Sequence, residues 1–102
     1  MLEKAVKERV KRILKEYGAY YFMPAMNGFG KAGVPDIIAC YKGKFLGIEC
    51  KVGSNKATAL QVKNITDIIE AGGQALVVNE DTVGNVTEWL KSNSTLTKGD
   101  SK

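Results

Sequence analysis

Two strand-like runs, residues 34–41 and 44–51, are separated only by Lys42-Gly43, and this spacing constrains the 102-residue chain more than any other feature. A two-residue connection ending in glycine predicts a tight antiparallel hairpin. With Lys42 and Gly43 as the turn, Tyr41 pairs with Lys44 and Asp36 falls opposite Glu49. Side chains alternate along a strand, so Asp36, Glu49 and Lys51 share one face. Carboxylates facing each other across a ladder lie roughly 4.5–5.5 Å apart at Cβ and repel unless a cation or proton sits between them. The apolar neighbours Ile37, Ile38, Leu46 and Ile48 add a burial penalty. Two arrangements relieve the conflict. Lys51 neutralises the acids in a salt bridge, or a hard divalent cation such as Mg2+ sits among the oxygens, with Lys51 beside it to orient a water. Parity sends Cys40 and Cys50 to opposite faces, which excludes a disulfide between them; both read as small buried hydrophobes.

The flanking segments supply the rest of an α/β domain. Leu2, Val6, Val10, Ile13, Leu14 and Tyr17 recur at helical spacing, which predicts an amphipathic helix over residues 2–17 with Gly18 as its C-cap. Glu3 falls within about 50° of the centre of that apolar stripe, whereas Glu8 falls on the opposite face. An acid at Glu3 suits either the helix dipole or a further ligand role. Residues 19–23 form a short aromatic strand, with Tyr20, Tyr21 and Phe22 reading mostly as core. Residues 24–33 are a glycine-containing loop beside Asp36, either a plain connection or a place for backbone amides and Lys31 to approach phosphates. Thr58 caps a helix to about Ala71, with Val62, Ile65, Ile68 and Ile69 on its buried face and Gly72-Gly73 ending it. Residues 75–78 read as a short buried strand, and a last helical piece holds Trp89 and Leu90. A helix between the third and fourth strands implies a crossover, hence a mixed sheet flanked by helices. Residues 1–91 form one domain, and residues 92–102 read as a polar, disordered tail.

Composition narrows function by exclusion. The chain has no histidine and only two cysteines, which removes the commonest general base and any structural zinc site. Fifteen basic against eleven acidic residues give +4, a balance that suits a polyanion without specifying one. Residues 1–17 carry Lys4, Lys7, Arg9, Lys11, Arg12 and Lys15, a basic helix surface that either contacts phosphates, through Lys7 and Lys11 among others, or is simply solvated. No segment reads as a membrane span or signal-peptide core, and the chain reads as cytoplasmic.

The stretch GVPDIIACYKGKFLGIECK, residues 33–51, resembles the PD-(D/E)xK nuclease signature, with Pro35-Asp36 followed by Glu49-Cys50-Lys51. The run KAGVPD, the YKGKF turn, Gln61 ten residues after Lys51 and Glu3 fifteen before Gly18 together look like the VRR-NUC branch (virus-type replication-repair nucleases). This resemblance covers about residues 2–80 and implies a restriction-endonuclease-like αβββαβ core. It also implies Mg2+- or Mn2+-dependent hydrolysis of DNA. By position it makes Asp36, Glu49 and the Cys50 backbone carbonyl metal ligands, Glu3 the helix-borne acid, Lys51 the catalytic lysine and Gln61 a glutamine beside the site. Stand-alone members are typical of phages and bacteria and are similar to archaeal Holliday-junction resolvases, which implies a homodimer acting on branched DNA in a bacterial or phage-infected cell. One departure is Ala59, where many relatives have proline; it predicts a looser start to the second helix. Two rivals stand beside this reading. A non-catalytic DNA-binding protein on the same fold would normally have lost an acid or the lysine. An RNA- or nucleotide-directed hydrolase would want a base-stacking platform, which the aromatics do not form in sequence.

Overall fold

Lys42 (φ 53°) and Gly43 (φ 80°) both adopt the left-handed region, the geometry of a type I′ turn whose twist matches the strands it joins. The turn holds β2 (Ile37–Tyr41) and β3 (Lys44–Cys50) antiparallel, with Tyr41 opposite Lys44 and Ile37 opposite Ile48, the register expected from sequence. This is seen in a computed structural model, which describes residues 2–25 and 31–94. Gly28 and Gly30 of the loop, and the tail from residue 95, lie outside the described residues.

Around the hairpin lie α1 (Glu3–Tyr17), β1 (Tyr20–Phe22), α2 (Ala59–Glu70), β4 (Gln74–Val78) and α3 (Gly84–Asn93). The four strands form one sheet in the order β1-β2-β3-β4. β4 runs parallel to β3, as the α2 crossover requires. The mixed α/β architecture is therefore the expected one. α3 extends to Asn93, past Ser92 where the polar tail was expected to begin, because Trp89 and Leu90 anchor its inner side. No helix among the described residues is long and apolar enough to cross a membrane.

The core lies on one side of the sheet. Val6, Val10 and Leu14 of α1 pack with Ile37, Ala39, Tyr41, Leu46, Ile48 and Cys50, joined by Val78 and by Val86 and Leu90 of α3. Gly18 (φ 77°) closes α1 and donates to the Leu14 and Lys15 carbonyls, the C-cap expected there.

The other side is filled less completely, and here four sequence expectations fail. Gly47 lets α2 lie close, since a Cβ there would stand 2.9 Å from Pro35 and 3.1 Å from Ile68. Yet Val62 (49% exposed) and Ile69 (54%) of the expected buried stripe face outward, and the residue α2 does bury is Asn64. Its Nδ2 donates to the Ala32 and Leu60 carbonyls at 3.1 and 3.0 Å, so a polar anchor sets the helix against the loop before Asp36. Tyr20 (71% exposed) and Phe22 (47%) are likewise not core, and Cys40, opposite Tyr20, is exposed rather than buried. Among the described residues no helix covers the β1–β2 part of this face, so these apolar side chains stay open. β4 is an edge strand, which leaves Val77 exposed and only Val78 buried.

α2 starts at Ala59 despite the missing proline, because Thr58 caps it. Thr58 is extended (φ −73°, ψ 167°), the conformation a following proline demands, and the amide of the first helical residue needs no intrahelical partner. Ala59→Pro should therefore stabilise the protein by about 0.4–1 kcal/mol. The expected result is a raised urea midpoint with an unchanged m-value.

Candidate metal centre

Glu49 points away from the core face that holds Ile48 and Cys50, yet it is only 1% exposed. Its surroundings come from three directions. At the start of α2, Thr58 and Gln61 form a capping box: the Gln61 N–H donates to Thr58 Oγ1 at 3.2 Å and the Thr58 N–H to Gln61 Oε1 at 2.8 Å. With its oxygen so engaged, the Gln61 amide turns Nε2 toward Glu49 and donates to Oε2 at 2.8 Å. The Thr58-x-x-Gln61 spacing is a local signal for this double role, and reading Thr58 as a simple cap misses it. Lys51, two residues along the strand on the same side, brings Nζ to 3.3 Å from the same oxygen.

Asp36 precedes β2 rather than pairing within it. Its Oδ2 accepts from the Cys50 N–H at 2.8 Å, in place of a ladder bond. Its Oδ1 lies 3.8 Å from Lys7 Nζ, so a lysine expected to meet DNA stands at the acid itself. Glu3, in the first turn of α1, completes the group: one carboxylate oxygen from each of Glu3, Asp36 and Glu49 lies within 4.8 Å of the others. The other expected DNA contacts lie elsewhere. Lys11 pairs with Glu8 at 3.0 Å. Lys31 lines an open cavity of about 560 Å3 with Lys44, Phe45 and Ile68, and no acid of the cluster borders it.

These distances decide between salt bridge and metal centre. Two like charges 4 Å apart cost about 4 kcal/mol at an effective dielectric of about 20. A salt-bridge site would meet that cost by giving each oxygen a cation or donor. Here both Lys51 and Gln61 crowd onto Glu49 Oε2, and Oε1 is buried with no hydrogen-bond partner. Burial first, then repulsion from Asp36, pushes the Glu49 carboxyl up to about 7, with Lys51 opposing the shift. A buried, unpartnered oxygen on an acid whose carboxylate lies close to two others makes a donor set suited to a hard cation, and the lack of histidine or thiolate at the cluster points the same way. The Cys50 thiol is pushed up to about 12 by burial and the neighbouring acids, which makes it inert.

Residues 4–79 match the family described as archaeal Holliday junction resolvase (Hjc). The chain belongs to that family. Every residue of the site except Glu3 falls within the matched span. Two solved structures share the resolvase-like fold. A VRR_NUC domain is 19% identical over 87% of this chain and 94% of its own, with a TM-score of 0.71. Archaeoglobus fulgidus Hjc, a Holliday junction resolvase from an archaeal hyperthermophile, is 20% identical over 76% of this chain and 67% of its own, with a TM-score of 0.54. No curated protein matches the chain. Hjc membership makes this protein a resolvase-type nuclease, the class the sequence resemblance implied.

The raised Glu49 value has a stability consequence for the metal-free Hjc-family protein. Its carboxyl titrates at about 7 when folded and near 4.5 when unfolded, so between those values the native state holds a proton that the unfolded state has released. Stability should therefore be greatest below about pH 4.5 with respect to this group and fall as pH rises through about 7, by roughly 3 kcal/mol. Urea unfolding in EDTA should show that fall in the wild type. Glu49→Gln should flatten it and be the more stable protein at pH 8.

Proposed function

We propose that this Hjc-family nuclease is a Mg2+-dependent endonuclease that cuts branched DNA, Holliday junctions included, as a homodimer. The observation that carries the metal dependence is the buried, unpartnered Oε1 of Glu49 inside a three-carboxylate cluster. Asp36 and Glu49 would hold the ion, with Glu3 on the α1 side. The Cys50 carbonyl would be a further ligand: a strand residue sends its N–H and C=O to the same side, and the Cys50 N–H already points to Asp36. A bound Mg2+ supplies positive charge to a phosphate oxygen and acidifies a water.

The chain's own residues do the rest. Gln61 fixes Oε2 of Glu49 and leaves Oε1 without a partner. Lys51, held at 3.3 Å from Glu49, is placed to orient an attacking water and to stabilise charge growing on the phosphate. Lys7 leaves Asp36 for a DNA phosphate, which trades one anion for another. Lys11 and Lys31 extend the cationic surface away from the cluster. Mn2+, also an oxygen-seeking ion, replaces Mg2+.

One cluster per chain cuts one strand, so paired cuts across a junction need two subunits. The open sheet face bearing Tyr20, Phe22 and Cys40 offers apolar area for that contact. The protein works in the cytoplasm, on DNA under repair.

With labelled four-way junctions and Mg2+, the wild type should cut. Asp36→Ala and Lys51→Ala should each lose about 100-fold or more in rate. Cleavage that survives EDTA or Asp36→Ala would overturn the mechanism. Sedimentation should show a dimer at concentrations that give full junction cleavage; a monomer there would remove the homodimer from the proposal.

A further inference from the structure

We propose that Asn79 is a positioning residue for the nuclease reaction, clamping through Gly53 the loop that joins Lys51 to Gln61. The proposal rests on the nuclease reading above and assigns a part to residues that touch none of the three acids. The parallel β3–β4 ladder ends at Cys50 and Val78, but its pairing continues by other means. The Lys51 N–H donates to the Val78 carbonyl at 2.8 Å. Two residues later Gly53 is gripped on both sides. Its carbonyl accepts from Asn79 Nδ2 at 2.9 Å, and its N–H donates to the Glu80 carboxylate at 3.0 and 3.1 Å. Three consecutive residues at the end of β4 thus hold the chain on which the lysine is mounted.

The clamp is itself rigidly set. Asn79 Oδ1 accepts from the Asp81 and Thr82 N–H groups at 2.8 and 3.0 Å and from the Thr82 hydroxyl at 3.1 Å. The Asn79 N–H donates to Thr82 Oγ1 at 2.8 Å. With the amide oxygen so occupied, Nδ2 has one direction left, toward Gly53. Arg9 of α1 donates to the Glu80 carbonyl at 3.2 Å, which joins the clamp to the helix bearing Glu3 and Lys7. The three pieces that carry the site meet at this turn: α1, the end of β3, and the loop leading into α2. Local hydrogen bonding within residues 79–82 would need only the oxygen of Asn79. The nitrogen reaches across to Gly53, and that asymmetry makes the residue separable by mutation.

Asn79→Asp keeps an oxygen for the Asp81 and Thr82 donors but sets a carboxylate against the Gly53 carbonyl, so the turn survives and the tie is lost. Glu80→Ala removes the second tie at an exposed site, and Glu80→Gln retains an oxygen for the Gly53 N–H. With junction DNA and Mg2+, Asn79→Asp and Glu80→Ala should lower kcat about tenfold or more, the scale set by misplacing a catalytic group, while KM moves less than about threefold. Glu80→Gln should keep most of the wild-type kcat. Independently of activity, amide exchange at residues 51–55 should quicken in the two clamp variants while exchange in α1 and the β2–β3 core stays unchanged. Wild-type kcat in both variants overturns the proposal, as does a loss confined to KM or one matched by faster exchange throughout the core. A wild-type chain that cuts nothing overturns the nuclease reading, and the exchange rates then decide the clamp alone.

Discussion

A carboxylate buried to 1% exposure at the end of β3 carries a desolvation cost that an apolar core cannot offset, and two parts of the chain converge to meet it. α2 contributes the Gln61 amide and the residue just past β3 contributes the Lys51 ammonium, while the approach to β2 sets the opposing charge of Asp36 beside them. Each contribution is incomplete. Both partners take the same oxygen of Glu49, and the added acids make the electrostatics worse. A fold that buries Glu49 and then places Glu3 and Asp36 beside it is stable in this form only because the group can hold a proton or share a cation. The site's demand for positive charge follows from that arrangement and needs no appeal to a relative.

The Lys42-Gly43 turn is what makes the convergence possible. A slip of one residue in the hairpin would send Glu49 and Lys51 to the core side, among Leu46 and Ile48, and turn the core residues outward. The left-handed pair of turn residues fixes the register at one end of the hairpin, and the acids sit at the other. The apolar core, assembled from α1, α3 and one sheet face, supplies the rigidity; the less filled face supplies the site.

Much of this was legible in the sequence because it depends on short-range rules. The α1 stripe, the hairpin register, the shared face of Asp36, Glu49 and Lys51, and the Thr58 cap all follow from periods of 3.6 and 2 and from turn chemistry. The failures share one physical origin. Apolar patterning says that a face wants cover, not that cover is present, so Tyr20, Phe22, Cys40, Val62 and Ile69 read as core although they lie open. Contacts distant in sequence were also invisible. Nothing near Lys7 announces Asp36, and nothing near Gly53 announces Asn79. The Thr58–Gln61 capping box was readable, but its second use, aiming Nε2 at Glu49, needs the strand to be in place first.

The parallel pairing of β3 with β4 also orders events as the chain folds. The hairpin closes over a two-residue turn and can form early, bringing Asp36 and Glu49 together while one edge of β3 is still bare. That edge stays open until the chain has passed through α2 and delivered Val78, and only then can Asn79 and Glu80 seize Gly53. Because closing the longer loop costs entropy before any contact repays it, the lysine-bearing segment is the last part of the site to settle. A half-made chain therefore carries the mutually repelling acids without the finished framework around Lys51, and the site is complete only when its fourth strand docks.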